Sequence, residues 1–319
     1  MFFAQYESPL GPLTLASDGQ ALTGLAFGPA PVPAGGLPLF AEAVSWLDTY
    51  FAGRDPGKIP PLAPAGTAFQ QKVWQALLAI PFGQTASYSQ IARRVGCRSA
   101  RAVGQAVHNN PIGLMIPCHR VIGADGSLTG YAGGLDVKRR LLVMEQSRMR
   151  LLFTLDAGDY TEGQKAFSRP SARAIVIEKG RVAMVYSQKF GHYKFPGGGI
   201  DEGESREAAL IREAREEAGL ALRPDSIRPF GFVHRIEKGD REPLFIQDNF
   251  YYLAEAEAIV PQQLDGYEAE EGYTLRWMDP REAIEANRAR NLAVEPDHRP
   301  MLLQEAMVLE RLQAEGLLQ

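Results

Sequence analysis

The stretch from Ile116 to Gly123, IPCHRVIG, places one of the chain's two cysteines between a proline and a histidine, with an arginine next. A cysteine beside a histidine is weak evidence for catalysis by itself, because neighbours in sequence rarely face each other and isolated cysteines are mostly small core residues. The motifs on either side of this stretch therefore decide how the cysteine is interpreted.

Length and composition indicate a globular protein of two domains. A chain of 319 residues is longer than one hydrophobic core usually supports. Its two cysteines, Cys97 and Cys118, are too few for a disulfide framework or a four-cysteine zinc site. No apolar run approaches the ~20 residues that span a bilayer, and the amino terminus lacks the pattern of a signal peptide. We therefore expect a cytoplasmic protein that does not enter a membrane.

Charge is distributed unequally along the chain. The net charge is −4, which argues against a protein coated with basic residues for nucleic acid. Residues 1 to 149 carry 12 Lys and Arg against 8 Asp and Glu, a net charge of +4, whereas the remaining residues carry 22 against 30, a net charge of −8. A basic half and an acidic half indicate a different partner for each.

Hydrophobic periodicity changes within the first half. Residues 2 to 27 alternate between apolar and polar positions, which favours a small antiparallel sheet. From Thr67 the apolar residues recur with helical spacing, and SYSQIARRVG followed by SARAVGQAVHNN predicts two short helices joined by a tight turn at Gly96 to Arg98. This arrangement is typical of a helix-turn-helix.

Several motifs follow one another between residues 68 and 147. They are FGQTASYSQIARRVG, RAVGQAVHNNPIGLMIPCHRVIG, GYAGGL and LLVMEQ. Their order and spacing resemble those of the methylated-DNA–protein-cysteine methyltransferases, the O6-alkylguanine-DNA alkyltransferases, which repair guanine alkylated on its exocyclic oxygen. The resemblance runs from about residue 2 to 147. It implies that the first half transfers the alkyl group from double-stranded DNA irreversibly to its own cysteine.

The chemistry of such a transfer accounts for the residues around Cys118. Displacing an alkyl group from oxygen needs a strong nucleophile, and a thiol with its ordinary pKa of about 8.5 is mostly protonated at neutral pH. The resemblance implies that His119, oriented by Glu145 and acting through a water, takes the proton from Cys118.

The resemblance also assigns the residues that handle DNA. Arg101 matches the arginine that fills the gap left by a flipped nucleotide. Tyr88 matches the tyrosine that helps to turn the nucleotide out and donates a proton toward the leaving guanine. Tyr131 matches a tyrosine that lines the pocket, and Arg120 is expected at the DNA. Asn110 matches a hinge that shapes the pocket, although a turn-forming asparagine before proline accounts for it equally well.

Three features qualify this assignment. Ala132 stands where the family often has a serine, so a hydrogen bond to the substrate oxygen at that position must come from the backbone. No Cys or His precedes Cys97, so we expect no zinc, and alkyl transfer itself needs no cofactor. The alkyltransferase-like proteins, which bind lesions without repairing them, lack the reactive cysteine, whereas Cys118 is present and favours chemistry.

A second motif lies in the acidic half. It follows ARAIVIEKGRVAMVYSQ, which predicts a hairpin with its turn at Lys179 and Gly180. From Gly198 to Leu220, GGIDEGESREAALIREAREEAGL resembles the Nudix box at every fixed position. An exposed helix with Arg–Glu pairs would explain the charges of this segment but not its glycines. The resemblance implies hydrolysis of a nucleoside diphosphate linked to another group.

The glutamates of this motif indicate a metal site. Glu213, Glu216 and Glu217 stand at positions i, i+3 and i+4 and therefore share one helix face. Carboxylates that are crowded together repel each other unless cations join them. Hard oxygen ligands and a diphosphate substrate fit Mg²⁺ or Mn²⁺.

The Nudix resemblance adds three further groups to this site. The carbonyl of Gly198 is expected as a metal ligand, Glu204 as a helper carboxylate, and Arg212 as the residue that orients the metal-binding glutamates. Nothing in the motif identifies the base or the leaving group of the nucleotide. The fusion to a guanine repair domain favours a damaged guanosine triphosphate, by association alone.

We expect a mixed α+β and α/β protein of two domains. An alkyltransferase domain over 1–148 joins a small antiparallel sheet subdomain (1–66) to a catalytic, DNA-binding helix-turn-helix subdomain (67–148). After a linker over 149–170, where the periodicity fades, a Nudix α/β/α sandwich occupies 171–319. We expect a monomer. Two alternatives stay open: a lesion-binding module without transfer activity, with the Nudix half as the only enzyme, or an acidic half that only scaffolds.

Overall fold

The chain divides into two compact units, Met1–Leu151 and Leu152–Gln319. None of the helices in the part of the chain that the structure describes is long and apolar enough to cross a membrane. The computed structural model describes residues 1–30, 36–160, 165–239, 243–293 and 299–318.

The first unit combines a small sheet with a group of helices. The strands are β1 (Phe2–Ser8), β2 (Gly11–Ser17), β3 (Leu22–Phe27), β4 (Ala86–Ser87) and β5 (Val121–Ile122). The helices are α1 (Pro38–Phe51), α2 (Ala68–Leu78), α3 (Tyr88–Arg94), α4 (Ala100–His108) and α5 (Leu135–Ser147). The first three strands form the predicted antiparallel sheet in the order β1-β2-β3, and β4 pairs with β5 in parallel.

Local sequence signals start the two helices of the predicted helix-turn-helix. Ser87 and Gln90 form a capping box at the start of α3. Ser99 caps α4 by accepting a hydrogen bond from the N–H of Ala102 at 3.2 Å. In the turn between the helices Gly96 has a φ of 67°, a conformation that glycine adopts without steric cost. The helix-turn-helix prediction is therefore confirmed.

Hydrogen bonds join the sheet of the first unit to the segment that follows α4. Leu25 of β3 donates its N–H to the carbonyl of Pro111 at 2.9 Å, and its own carbonyl accepts from the N–H of Gly113 at 2.8 Å. Among the helices, the buried Trp74 of α2 donates its indole N–H to the carbonyl of Ala106 in α4 at 2.8 Å. These bonds hold the chain that leads to the reactive cysteine between the sheet and the helices.

The second unit contains two larger sheets with helices. The strands are β6 (Leu151–Asp156), β7 (Ala166–Ser168), β8 (Ser171–Ile175), β9 (Ile177–Glu178), β10 (Arg181–Ser187), β11 (His192–Lys194), β12 (Gly197–Gly199), β13 (Leu220–Leu222), β14 (Arg228–Glu237), β15 (Leu244–Leu253), β16 (Ala256–Ile259) and β17 (Tyr273–Met278). The helices are α6 (Arg206–Ala218), α7 (Gly266–Glu271), α8 (Pro280–Ala293) and α9 (Arg299–Ala314).

The two larger sheets of the second unit differ in strand direction, and β13 pairs with β16 in a separate two-stranded sheet. A mixed sheet has the order β12-β8-β15-β14-β6 with β7 beside β15, and an antiparallel sheet has the order β11-β10-β17 with β9 beside β10. The helix α6 packs against β8 and β12 of the first of these sheets and against β17 of the second. This position brings one face of α6 next to the glycine-rich strand.

Two predicted features of the second unit are confirmed. The hairpin of β9 and β10 turns at Lys179 and Gly180, which have φ values of 51° and 76°. The charged segment forms α6, which Ser205 caps by accepting from the N–H of Ala208 at 3.1 Å. The helix ends at Gly219, whose φ of 65° is the left-handed conformation typical of a helix terminus.

The expected linker over 149–170 is corrected by the structure, because two strands form within it. The strand β6 lies at the edge of the mixed sheet beside β14, and β7 pairs with β15 in parallel. Leu152 of β6 is buried in the core of the second unit. Each of these strands is short, and turn-forming residues lie between them. The alternation of apolar and polar residues therefore did not extend far enough to predict a strand from the sequence.

Candidate active sites

Cys118 lies in the wall of a cavity in the first unit. It begins a short 3-10 helix and is 9% exposed. The cavity has a volume of 190 Å³. Its lining contains three residues expected at the site and three from the sheet: Tyr88, Asn110, Tyr131, Leu13, Leu25 and Phe27. The structure thus brings the thiol and these side chains around one pocket.

The thiol of Cys118 is protonated at rest. Burial raises its pKa, while a hydrogen bond from Asn110 and the charge of Lys138 oppose that rise. Lys138 is buried and donates to the carbonyls of Val121 at 2.5 Å and Thr129 at 2.7 Å, and burial lowers its pKa to about 8. A thiol in this state needs a base before it can act as a nucleophile.

The group that can act as this base is His119, which is fully buried. Its Nε2 lies 2.7 Å from Oε1 of Glu145 and 3.2 Å from the hydroxyl oxygen of Tyr50. Its Nδ1 is buried and has no hydrogen-bond partner among the residues that the structure describes. Burial lowers the pKa of His119 despite the nearby carboxylate, so the ring is neutral at neutral pH.

Glu145 is held as a carboxylate by the donors around it. Arg120 donates from Nε to Oε2 at 2.8 Å and from Nη2 to Oε1 at 3.1 Å. Tyr50 donates to Oε1 at 2.7 Å, and the backbone N–H of Gly83 donates to Oε2 at 3.0 Å. Burial alone would raise the pKa of Glu145, but the interactions with His119 and Arg120 hold it down at about 2.

Arg120, which the resemblance places at the DNA, is buried in this structure. The side chain is 9% exposed, and Nη1 donates to the carbonyl of Ile80 at 2.7 Å. The guanidinium also lies 5.7 Å from the ring centroid of Phe82. A buried guanidinium requires partners that satisfy its charge and its donors, and Glu145 provides them. Arg120 is therefore a residue that holds Glu145 in place.

Arg101 lies on the exposed side of α4. It is the second residue of that helix, and the buried side of the same helix carries Val103 and Val107. Three further arginines of α3 and the turn are also exposed: Arg93, Arg94 and Arg98. Positive charge is thus concentrated on the helix-turn-helix, and such a surface attracts a polyanion.

Two residues of this site were not predicted from the sequence. Tyr50 comes from α1, 69 residues before His119, and Lys138 comes from α5. Neither belongs to a motif with a chemical signature. Tyr50 lies among other aromatic residues of an amphipathic helix, and Lys138 precedes two arginines, a pattern typical of a solvated face. Only the fold brings Tyr50 to His119 and Glu145, and Lys138 to the surroundings of Cys118.

The second site begins at the glycine-rich strand β12. A Cβ atom at Gly198 would collide with the carboxylate of Glu213, and one at Gly197, which has a φ of 142°, would collide with the carbonyl of Ala172. The N–H of Gly197 donates to Oε2 of Glu217 at 3.1 Å. The glycines therefore allow the backbone to approach the carboxylates of α6 closely.

Three carboxylates meet beside this strand. Within the described residues, Glu213, Glu217 and Glu268 each offer one oxygen, and these atoms lie within 4.8 Å of one another. Glu217 is 1% exposed and Glu268 is 4% exposed. Burial raises the pKa of Glu213 and of Glu268, and the charge of Glu217 raises that of Glu268 further. Such a cluster is costly unless a cation neutralises it.

Arg212 connects the other glutamates of the motif. It donates to Glu204 from Nε at 3.0 Å and from Nη2 at 2.9 Å. Its Nη1 donates to Glu213 at 2.8 Å and to Glu216 at 3.2 Å. Arg212 thus orients Glu213, whereas Glu204 and Glu216, both expected at the metal, are ion-paired with Arg212 and lie outside the three-carboxylate cluster.

Glu268 and Lys194 are additional residues of the second site. Glu268 belongs to the short helix α7, where acidic neighbours in GYEAEEGY gave no signal that one of them is buried. Lys194 forms an ion pair with Glu217, and its Nζ lies 4.4 Å from the ring centroid of Tyr273. The lysine therefore neutralises one of the three clustered carboxylates.

Buried side chains of β8 and α9 hold the backbone that leads into the glycine-rich strand β12. Arg173 of β8 donates from Nη1 to the carbonyls of Phe195 at 3.2 Å and Gly197 at 3.4 Å. Glu305 of α9 accepts from the N–H of Phe195 at 3.1 Å and lies 3.6 Å from Nε of Arg173. These buried groups fix the backbone that leads into the second site.

Three family models match the chain. The ribonuclease-like domain of 6-O-methylguanine DNA methyltransferase matches residues 1–57, and the DNA binding domain of the same family matches residues 68–147. The NUDIX domain matches residues 168–303. The matches cover both candidate sites.

Known proteins resemble the first half. A methylated-DNA–protein-cysteine methyltransferase of Mycobacterium leprae is 51% identical over 158 residues, which cover 47% of this chain and 94% of the relative. One of Methanosarcina acetivorans is 46% identical over 155 residues, which cover 46% of this chain and 99% of the relative. The crystal structure of Mycobacterium tuberculosis OGT in complex with DNA is 46% identical, covers 47% of this chain and 96% of that chain, and has a TM-score of 0.44.

The fold, the two sites and these matches define a two-domain enzyme in which a DNA repair methyltransferase precedes a Nudix hydrolase domain. The chain belongs to the methylated-DNA–protein-cysteine methyltransferase family. Both family resemblances and the predicted fold class are therefore confirmed.

Proposed function

We propose that Cys118 accepts the alkyl group of O6-alkylguanine in double-stranded DNA. The observation that carries this proposal is the position of the thiol in the wall of the 190 Å³ cavity, with the buried base His119 next to it. Membership of the methyltransferase family supports the same chemistry. Because a thioether is stable in water, each molecule acts once.

The groups around the sulfur support a direct displacement. Nδ1 of His119 takes the thiol proton through a bridging water, and the charge of Lys138 stabilises the thiolate. The thiolate attacks the alkyl carbon, so that a C–S bond forms and the C–O bond breaks with its electron pair on the guanine oxygen. Tyr88 donates its proton to the leaving guanine, and the proton that His119 took from the thiol then restores Tyr88 through solvent, so that one proton moves from the thiol to guanine overall.

We propose that the helix-turn-helix binds the duplex and that Arg101 fills the gap left by the flipped nucleotide. The target oxygen lies inside stacked DNA, and extruding a nucleotide costs a few kcal/mol. The exposed arginines of α3, the turn and α4 support contacts with phosphates. Recognition then depends on the lesion that enters the cavity more than on the surrounding sequence.

Mass spectrometry tests the transfer directly. After incubation with methylated duplex DNA, the peptide that contains Cys118 should gain the mass of one CH₂ group. The peptide that contains Cys97 serves as the internal control, because this thiol lies in the turn before α4 and outside the cavity lining. Binding of the duplex without a mass gain on Cys118 would favour the lesion-binding alternative.

We propose that the second site holds Mg²⁺ or Mn²⁺ for hydrolysis of a nucleoside diphosphate derivative. The residues fit such an ion, because Glu213, Glu217 and Glu268 offer hard oxygen ligands close together and the backbone at Gly198 lies against Glu213. When bound, the ion neutralises phosphate oxygens and activates the attacking water. Arg212 and Lys194 of the chain hold the carboxylates in place.

Metal binding can be measured without turnover. Glu268→Gln should weaken binding of Mn²⁺, followed by electron paramagnetic resonance, because it removes one charge from the cluster. Glu270→Gln is the matched control, since Glu270 belongs to the same helix and is exposed. Equal affinities of the two variants would exclude Glu268 from the metal site.

We propose that the nucleotide substrate is a modified guanosine triphosphate, alkylated or oxidised. The support is the fusion of the two domains. A hydrolase that removes nucleotides with the same damaged guanine from the precursor pool would reduce the number of lesions that the repair domain must correct in DNA. A panel of diphosphate-linked nucleotides with Mg²⁺ tests this by comparing kcat/KM. If a nucleotide sugar or a dinucleotide is preferred by more than about tenfold, or about 1.4 kcal/mol, the substrate proposal fails while the hydrolase assignment stands.

We also propose that the chain acts as a monomer in the cytoplasm. Each of the two sites is built from residues of one unit, and a reducing compartment keeps the thiol of Cys118 free. Light scattering during size-exclusion chromatography tests the oligomeric state, and fractionation of cells tests the location.

A further inference from the structure

Tyr50 places a polar group inside an apolar cluster of the first unit. Its side chain is fully buried, and its ring stacks on Trp46 at 5.3 Å and meets Phe82 edge-on at 6.0 Å. A buried hydroxyl without a hydrogen bond destabilises a protein. The hydroxyl of Tyr50 is paired, and its partners are the two residues proposed to activate Cys118.

The geometry assigns a direction to each of these hydrogen bonds. The hydroxyl of Tyr50 donates to Oε1 of Glu145 at 2.7 Å. Its single proton is used in that bond, so the oxygen can only accept from Nε2 of His119, which lies 3.2 Å away. Nε2 must then carry the ring proton, which it shares between Glu145 and Tyr50.

This tautomer leaves Nδ1 of His119 as the unprotonated nitrogen. Nδ1 is buried and lacks a hydrogen-bond partner in the described part of the chain. The neutral ring therefore directs its basic lone pair away from Glu145 and Tyr50, because the two nitrogens lie on different sides of the ring. The arrangement prepares the ring to accept the proton of Cys118 before any substrate enters.

We infer that Tyr50 is a positioning residue for alkyl transfer, which fixes the tautomer and the orientation of His119 from the side of α1. This inference rests on the proposed role of His119 as the base. Cys118, His119 and Glu145 all come from the helical subdomain, whereas Tyr50 comes from the segment before it. The amino-terminal subdomain thus completes the proton path, in addition to supporting the cavity wall.

The variant Tyr50→Phe tests the inference, because it keeps the ring and removes only the hydroxyl. We expect the rate constant for methyl transfer to fall by about tenfold. The acid limb of its pH profile should move to higher pH, because Glu145 without Tyr50 accepts more strongly from His119 and stabilises the imidazolium. The charged and titratable groups that face this ring from the surrounding elements are Glu145, Lys138, Tyr50, Arg120 and Tyr131.

Tyr6→Phe is the matched control. Tyr6 also donates its hydroxyl to a carboxylate, that of Asp48 in α1, at 2.9 Å, and its ring stacks on Phe51 at 6.0 Å. Its loss should leave the rate and the pH profile unchanged. A Tyr50→Phe variant that reacts like the wild type would overturn the inference, and so would a loss of rate by the same factor at every pH, which indicates a structural role only.

Nitrogen-15 NMR of the wild-type protein gives a test that does not depend on folding of a variant. His119 should carry its proton on Nε2, and a proton on Nδ1 would overturn the inference. The variant His119→Gln separates this inference from the proposed function. If that variant transfers methyl groups as fast as the wild type, the base assignment itself fails, whatever the result for Tyr50.

Discussion

Glu145 in the first unit and Glu268 in the second are both buried, yet their surroundings shift their pKa values in opposite directions. Glu145 accepts hydrogen bonds from a histidine, a tyrosine, an arginine and a backbone N–H, and its pKa is held down at about 2. Glu268 lies beside two other carboxylates, those of Glu213 and Glu217, and its pKa is raised by burial and by the charge of Glu217. The neighbours, not the extent of burial, decide the charge state.

The difference determines how the negative charge in each site is neutralised. In the first site the chain itself supplies every charge that Glu145 requires, so the site is prepared for reaction by folding alone. In the second site Lys194 and Arg212 neutralise only part of the clustered negative charge. A divalent cation that binds with the substrate can supply the rest. The following predictions test how independent and how different the two sites are.

The largest effect is expected for Cys118→Ala. Methyl transfer should be abolished because no other thiol lines the cavity among the described residues, whereas duplex binding and nucleotide hydrolysis should persist. Transfer is measured as methyl groups bound per protein, and DNA binding by gel shift. Residual transfer at the wild-type level would remove Cys118 from the reaction, and a parallel loss of hydrolysis would show that the two sites are not independent.

Glu217→Gln should lower nucleotide hydrolysis by about 10²-fold or more and leave methyl transfer unchanged, because it removes a charge from the carboxylate cluster. Glu216→Gln should have a smaller effect, of about tenfold or less, since Glu216 is partly exposed and bonded to Arg212 outside that cluster. Steady-state kinetics with Mg²⁺ compare the two variants. Equal losses would mean that both glutamates reach the metal, as the motif alone predicts.

The pH dependence of stability should reveal Glu145. Its pKa falls from an ordinary value of 4.5 to about 2 on folding, so the unfolded state binds the proton more tightly. The stabilisation, about 3 kcal/mol, is complete above about pH 5 and is lost as the pH falls toward about 2. The difference in unfolding free energy between the wild type and Glu145→Gln should therefore shrink on acidification.

This difference can be followed by the fluorescence of Trp46 and Trp74 during denaturation in urea, with Trp277→Phe to remove the signal of the second unit. A difference that stays constant between pH 7 and pH 3 would contradict the depressed pKa of Glu145. It would also weaken the contrast between the two buried glutamate sites.

A small effect is also expected for Arg101→Ala. Repair of duplex DNA should slow by about tenfold, because the gap left by the flipped nucleotide is no longer filled, while reaction with the free alkylated base should stay nearly unchanged. Rates on the two substrates are compared for the variant and the wild type. Equal losses on both would place the effect in the cavity and not at the DNA surface.

Much of the fold was predictable from the sequence because its signals are local. The helix-turn-helix follows from two capped, short amphipathic segments around Gly96, and the hairpin follows from the turn at Lys179 and Gly180. The strands β6 and β7 were missed because their pairing partners, β14 and β15, lie far along the chain. A strand of three to six residues carries too few positions to indicate pairing by itself.

The sites were predictable to the extent that their residues stand in motifs. Cys118 and Glu217 do, and the structure places both in buried clusters of polar groups. Tyr50 and Glu268 do not, since each reaches its site only through the packing of a distant helix. Arg120 stands in a motif but points inward, and the short 3-10 helix that carries it has no apolar period from which this direction could be predicted.

The buried ammonium of Lys138 has a consequence for the fate of the protein after its single reaction. In the resting protein it faces a neutral thiol, and its attraction for the thiolate becomes effective only when Cys118 ionises. The proposed alkylation converts the sulfur of Cys118 into a neutral thioether, which can no longer ionise to a thiolate. The alkylated protein would then retain a positive charge that no thiolate can balance, with its ammonium donating to the carbonyls of Val121 and Thr129.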